Sequence, residues 1–262
     1  MTLMIEFILS LPLWIGIGLA MVFTTVLGLV VWVVSYKLIE KSKNVMLKEP
    51  INNLFRLVGI LVSLMLSLTF GEAVAEWKAI KNSIDREAVA ISDTYINLKY
   101  FDSEGTREIQ AVLIDYAQAV IDDDWPAMAN DRLGQKASAL KRQFTEKVME
   151  LKPANSIQKE IRSGIIADID TLSDHRLIRL NHSMAKPPVY VLVIIFGFLV
   201  SMACFGAYQP HFPLIALVSL CTLFIGMVLY LILAMSDPFQ GRIIIDPTTF
   251  ANLIEALESG VR

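Results

Sequence analysis

The chain has 262 residues, 55% of them apolar and only 19% charged, with a formal net charge of −3. Soluble domains carry about a quarter charged residues and rarely hold long uncharged runs, so an ordinary soluble globule is a poor fit. The small negative balance also gives no footing for a nucleic-acid partner.

The opening stretch, MTLMIEFILSLPLW, lacks the basic start of a signal peptide and carries Glu6 instead. Its apolar run continues to about Tyr36 without a cleavage site, so it reads as a retained span. Four segments reach the roughly 20 apolar residues that a bilayer crossing needs. The first is Leu13 to Tyr36, with Trp14, Trp32 and Tyr36 placed as interface anchors. The second is Ile51 to Phe70, and a loop with Lys37, Lys41, Lys43 and Lys48 precedes it.

A polar insert follows from Glu72 to Pro187. With no helix breaker between Gly71 and Gly105, span two is expected to continue out of the membrane. Ala73, Trp77, Ile80, Ile84, Ala88, Ile91 and Tyr95, three and four apart, give that helix one buried stripe. Further helices are expected over Thr106–Asp123, Ala127–Leu151 and Ser156–Met184. In the intervening DDDWP, Asp124 reads as an N-cap with Pro126 in the first turn, and no EF-hand ligand pattern follows. Span three is Val189 to Tyr208 and span four Leu214 to Met235, joined through QPHFP as a hairpin. Cys204 and Cys221 lie inside these apolar blocks and form neither a disulfide framework nor a zinc site.

After span four, Asp237, Pro238, Phe239 and Gly241 read as a stop-and-turn device. Pro238 ends the helix, Gly241 lets the backbone turn and Phe239 anchors at the membrane surface. Asp246 and Pro247 then start a terminal helix, whose Phe250, Leu253, Ile254 and Leu257 must dock on the insert or on a neighbouring subunit. The expected organisation is residues 1–71 with spans one and two, 72–187 extramembrane, 188–236 a transmembrane hairpin, and 237–262 a turn plus amphipathic helix. The fold class is an all-α integral membrane protein, with four transmembrane helices and an antiparallel helical-bundle insert between spans two and three.

Span two carries the most informative pattern. Asn52, Arg56, Gly59, Ser63, Ser67 and Phe70 recur three and four apart and share one sector of the helix. Such a seam suits a pore-lining helix. Ser63, Ser67 and Gly71 also form a small-residue row of the kind that packs membrane helices together. A second pattern, His175, Arg179, His182 and Lys186, places basic groups on one helix face before span three. That stripe suits anions or lipid headgroups, and equally suits pairing with Glu72, Glu76 or Asp85. His175 and His182 lie two turns apart, about 10 Å, too far to share a metal unaided. No Gly-rich phosphate loop, GxSxG, HExxH or CxxC occurs, so no catalytic residue, metal or cofactor is expected.

Four stretches carry a resemblance: DREAVAISDTYINLKYF, IDYAQAVIDDDWPAM, DHRLIRL and DPFQGRIIIDPTTF. With them the chain resembles the bestrophin-like membrane proteins of bacteria, cyanobacteria and plants, over most of its length after the first span. Asp124 stands where that family usually has Glu, and His175 where Arg is common. The resemblance implies kinship with bestrophin anion channels, in which the second span lines the pore of a five-subunit ring. The expected function is a homo-oligomeric ion channel that conducts anions through a pore lined by span two. The rival reading is a non-conducting membrane scaffold or sensor whose insert binds a partner. Expected partners are membrane lipid, further copies of the chain and inorganic anions. The expected location is a bacterial inner membrane, and the loop charges leave the side of the insert open.

Overall fold

The computed structural model describes residues 12–41, 48–103, 105–130, 132–183, 190–239 and 243–259. Lys43, Lys186, Gly241 and Arg242 lie outside the described residues, as do the side chains of Lys41, Lys48 and His182. Among the described residues all regular structure is helical. In chain order the α-helices are α1 (Leu13–Lys41), α2 (Lys48–Phe101), α3 (Thr106–Ala119), α4 (Trp125–Met128), α5 (Gln135–Glu150), α6 (Ser156–Ser183), α7 (Tyr190–Cys204), α8 (Phe212–Met235) and α9 (Thr248–Glu258). A π-helical turn, Val120–Asp124, joins α3 to α4, and a 3-10 turn, Phe205–Ala207, follows α7. Four of these helices are long and apolar enough to cross a membrane.

The helix α2 runs unbroken for 54 residues, on the order of 80 Å at the usual rise. Its one proline, Pro50, falls in the first turn, where the missing N–H has no intrahelical partner to lose. The chain packs as two units, and the break falls within α2. One gathers α1, α2 through Glu76, α7 and α8. The other gathers α2 from Trp77 onward, α3 to α6, Pro238 and Phe239, and α9.

In the first unit, α1 and α8 approach closely through small residues. A Cβ on Gly226 would overlap Thr24, and one on Gly16 would overlap the Tyr230 ring. Thr24 donates its hydroxyl to the Thr222 carbonyl at 3.2 Å, and Thr222 donates to Thr25 Oγ1 at 3.1 Å. Such small-residue contacts let backbones approach where lipid supplies no hydrophobic drive between helices. Trp32, expected as an interface anchor, is instead fully buried and donates Nε1–H to the Tyr208 carbonyl at 3.2 Å. Trp14 remains exposed. Span two packs on α7 and α8 through Leu66, Ala73, Val191, Ile194, Leu229 and Ile232.

The second unit has one apolar core, drawing Ile84, Ile91 and Leu98 from α2, Leu113 and Tyr116 from α3, Phe144 from α5, and Ile165 and Leu172 from α6. The expected stripe on α2 is buried at Ala73, Ile80, Ile84, Ala88 and Ile91, and half-buried at Trp77 and Tyr95. The single helix expected over Ala127–Leu151 is broken. After α4, Asn130 N and Arg132 N both bond to the Ala127 carbonyl, and the chain is extended at Gly134 before α5 begins. Gly134 is needed there, because a Cβ would overlap the Asp124 carboxylate.

Ser236 follows the end of α8, and Ile245 N bonds to the Pro238 carbonyl at 2.9 Å to close the turn. Phe239 is buried in the core of the second unit, so it is not a membrane-surface anchor. Asp246 Oδ1 accepts the Thr248 N–H at 3.0 Å and the Thr248 hydroxyl, so it caps the first free N–H of α9 from one position before the N-cap, which is Pro247 and not Asp246. The apolar face of α9 docks on the helical domain of its own subunit, where Phe250, Leu253, Ile254 and Leu257 are all buried. Each such side chain contributes roughly 1.5–3 kcal/mol when fully buried.

Candidate functional site: an open seam and a buried charge cluster

The seam on span two divides. Arg56, Ser63 and Ser67 are exposed, and a Cβ on Gly59 would meet nothing within 4 Å. Phe55, Arg56, Gly59, Ile60 and Ser63 line an open hollow of about 460 Å³ on this face. Asn52, at one end, accepts the Tyr208 hydroxyl at 2.6 Å, and Phe70, at the other, is half-buried against the Leu66–Ile232 cluster. The middle of the seam is therefore open among the described residues, with Arg56, Ser63 and Ser67 exposed and free space in front of Gly59. The small-residue row is open as well, since a Cβ on Gly71 would also meet nothing within 4 Å. Within the subunit, the close glycine contacts lie elsewhere: Gly16 and Gly226 between α1 and α8, Gly206 against Ser35 of α1, and Gly197 of α7 against Val62 on another face of span two.

The described half of the basic stripe, His175 and Arg179, does not face solvent as a row of charge. Arg179 is fully buried and pairs with none of Glu72, Glu76 or Asp85. Its Nε and Nη2 donate to the two oxygens of Glu87 at 2.8 and 3.0 Å, and Nη2 also donates to Asp124 Oδ2 at 3.1 Å. Asp85 accepts the Thr249 hydroxyl instead. His175, half-buried, has its Nδ1 3.2 Å from Ser83 Oγ, which donates to the His175 carbonyl at 2.9 Å.

Asp124 is likewise not an N-cap. Its backbone is helical and its side chain makes no cap bond. The π-helical turn presents it inward, where it takes both Arg176 Nε and Nη2 at 3.0 Å. Its neighbours diverge: Asp122 accepts Gln118, and Asp123 caps α5 by accepting Lys136 N at 2.7 Å and Ala137 N at 3.1 Å. Tyr116 completes the cluster, its hydroxyl donating to Glu87 Oε1 at 2.8 Å. The Trp125 and Phe250 rings lie 5.1 and 5.9 Å from the Arg179 guanidinium, within cation–π range.

Two carboxylates thus face two guanidiniums in a buried cluster. Burial alone would lower the Arg179 pKa, but Glu87 together with Asp124 and Tyr116 outweighs it and raises it. Burial, reinforced by Glu87, pushes the Tyr116 phenol well above its ordinary value, so the phenol stays a donor. All four carboxylate oxygens accept charge-assisted bonds from arginine. That is the arrangement of a brace. Glu87, Tyr116 and Arg176 were not singled out from sequence, although the resembling stretches contain all three.

The sequence profile of the Bestrophin-like domain matches residues 17–250. The chain belongs to the bestrophin-like family. No curated protein matches it in sequence. Two crystal structures of a bacterial bestrophin homologue from Klebsiella pneumoniae, each with one substitution, share its fold at 12% and 14% identity, both with a TM-score of 0.69. The alignments cover 92% and 94% of this chain and 98% of each of those. A third structure, described as a membrane protein, aligns at 13% identity and a TM-score of 0.67, over 93% of this chain and 97% of that one. Membership of the bestrophin-like family and the four long apolar helices together make this an integral membrane protein.

Proposed function

We propose that this protein is a homo-oligomeric channel of a bacterial inner membrane that conducts anions, with span two lining the pore. The observation that carries the reading is the open middle of the span-two seam. A guanidinium and two hydroxyls are exposed on one membrane helix, with a glycine between them that faces open space among the described residues. Polar groups at membrane depth are costly when they face lipid, so such a face is expected to meet water or another subunit. Arg56 attracts anions at one mouth, and Ser63 and Ser67 offer hydroxyls along the path. Phe70, half-buried, narrows it. Family membership and the shared fold of the Klebsiella pneumoniae homologue support a channel over a scaffold.

The test is ion selectivity. Purified protein in planar bilayers under a chloride gradient is expected to give a reversal potential near the anion limit, and Arg56→Glu to move it toward zero. Arg56→Glu with unchanged selectivity would remove Arg56 from the pore. An intact oligomer that never conducts would favour the scaffold reading.

A further inference from the structure

Apart from the seam and the charge cluster, the helical domain holds a depression walled by three elements. It has a volume of about 460 Å³ and is lined by Tyr95, Ile96 and Lys99 of α2, Asp102 of the turn, Thr106, Arg107 and Gln110 of α3, and Ala256 and Leu257 of α9. Its floor is rigid: Gln110 Nε2 donates to the Tyr95 carbonyl at 3.0 Å, and Thr106 donates its hydroxyl to the Ser103 carbonyl at 2.8 Å. Thr106 and Leu257 are buried, and Ile96 and Ala256 half-buried, so one wall is apolar. Lys99 and Arg107 bring two positive charges to the rim and Asp102 one negative. Among the described residues none of the three forms an ion pair.

We propose that this cavity binds a small amphipathic anion, with its oxyanion head held by Lys99 and Arg107 and a short aliphatic arm against Ile96, Ala256 and Leu257. Among the described lining residues two cations accompany one carboxylate, which suits a monoanion. A planar guanidinium beside an ammonium is a common pairing for carboxylate and phosphate oxygens. The site commits to an anionic head with an apolar arm, and the head can be a carboxylate or a phosphate monoester. Because α9 supplies one wall, an occupied cavity holds the terminal helix more firmly on the domain.

The test is calorimetric titration of the full-length protein in lipid nanodiscs with pentanoate and with butyl phosphate, and with acetate and butylammonium as controls. At least one amphipathic anion is expected to saturate with a Kd of about 1 mM or tighter, with acetate and butylammonium at least tenfold weaker. Preference between the two heads identifies the class of the natural ligand. The double variant Lys99→Gln/Arg107→Gln is expected to weaken binding at least tenfold. Ala256→Trp, which fills the space, should abolish it. Both variants are checked by an unchanged thermal midpoint in the absence of ligand. If a variant does unfold, protection of Lys99 from amine-reactive labelling by the ligand in wild-type protein decides. Absence of saturable binding by either anion, equal binding by acetate, or wild-type affinity in the double variant would each overturn the proposal.

Discussion

Arg179 is clamped by Glu87 at 2.8 and 3.0 Å, with both side chains fully excluded from solvent. The two residues lie 92 positions apart, on the helix that continues span two and on the helix that precedes span three. Removing one partner of a buried pair strands the other charge in a dry interior, at a cost of about 3–5 kcal/mol. Arg179→Met is therefore expected to lower the thermal midpoint of the purified protein sharply. Tyr116→Phe, which removes a single donor to Glu87, should cost only about 1–3 kcal/mol. Equal effects from the two variants would contradict the assignment of Arg179 as the centre of the brace.

Phe250 is the tail's contribution to that brace. Its ring is fully buried, 5.7 Å from the Trp125 ring centre and 5.9 Å from the Arg179 guanidinium. Phe250→Ala is expected to cost about 3–5 kcal/mol, as for large-to-small changes in cores generally. Hydrogen exchange across α9 should then rise well before that of α6. If exchange in α9 stays at the wild-type level, the tail is held by something other than Phe250.

The α9 cap carries a pH dependence whose sign is set by Asp246. Hydrogen bonds from the Thr248 hydroxyl and N–H hold its carboxyl below the ordinary carboxylate range. A depressed native pKa stabilises the fold above the unfolded-chain pKa, and that contribution is lost as pH falls through the native value. Protection of α9 amides, corrected for intrinsic rates, should therefore drop as pH falls below about 4. Asp246→Asn should remove the cap's share of that drop. An identical drop in the variant would assign the effect to other carboxylates.

The glycines separate packing from openness. Gly226→Leu would drive a side chain into Thr24 and the Ala20 carbonyl, so it is expected to disrupt the α1–α8 contact and abolish correct folding. Gly59→Ala meets open space, and in a helix interior it should be neutral or stabilising by up to about 1 kcal/mol. Thermal unfolding of the two variants checks the contrast directly. A strongly destabilised Gly59→Ala protein would mean that another subunit packs tightly on that face.

Much of this architecture could be read from hydrophobic blocks and helix periodicity. The four apolar runs, the continuation of span two, the start of α6 at Ser156 and the turn at Pro238 all rest on local signals. Partners far apart in sequence could not be read in the same way. Asp124 looks like an N-cap because DDDWP also fits a helix start, and the choice is made by Arg176 and Arg179, more than 50 positions away. The π-helical turn that points Asp124 inward leaves no mark in hydropathy. Ser63, Ser67 and Gly71 have the right spacing for packing, and within the subunit their face is open among the described residues. Gly16, Gly197, Gly206 and Gly226 make close contacts between helices, and only the positions of their neighbours reveal this. The break before Gly134 did have a signal, an Asn-Asp-Arg-Leu-Gly run that a single helix over Ala127–Leu151 passes over.

The central claim, that the open face of span two lines a conducting pore, is tested most directly by single-channel recording of reconstituted protein. The comparison sets Ser63→Trp, on that face, against Leu192→Trp, an exposed position on α7. The account predicts anion-selective unitary currents in wild-type protein, reduced at least by half in Ser63→Trp and unchanged in Leu192→Trp. Intact oligomers without current, or a Ser63→Trp protein that conducts like wild type, would contradict it.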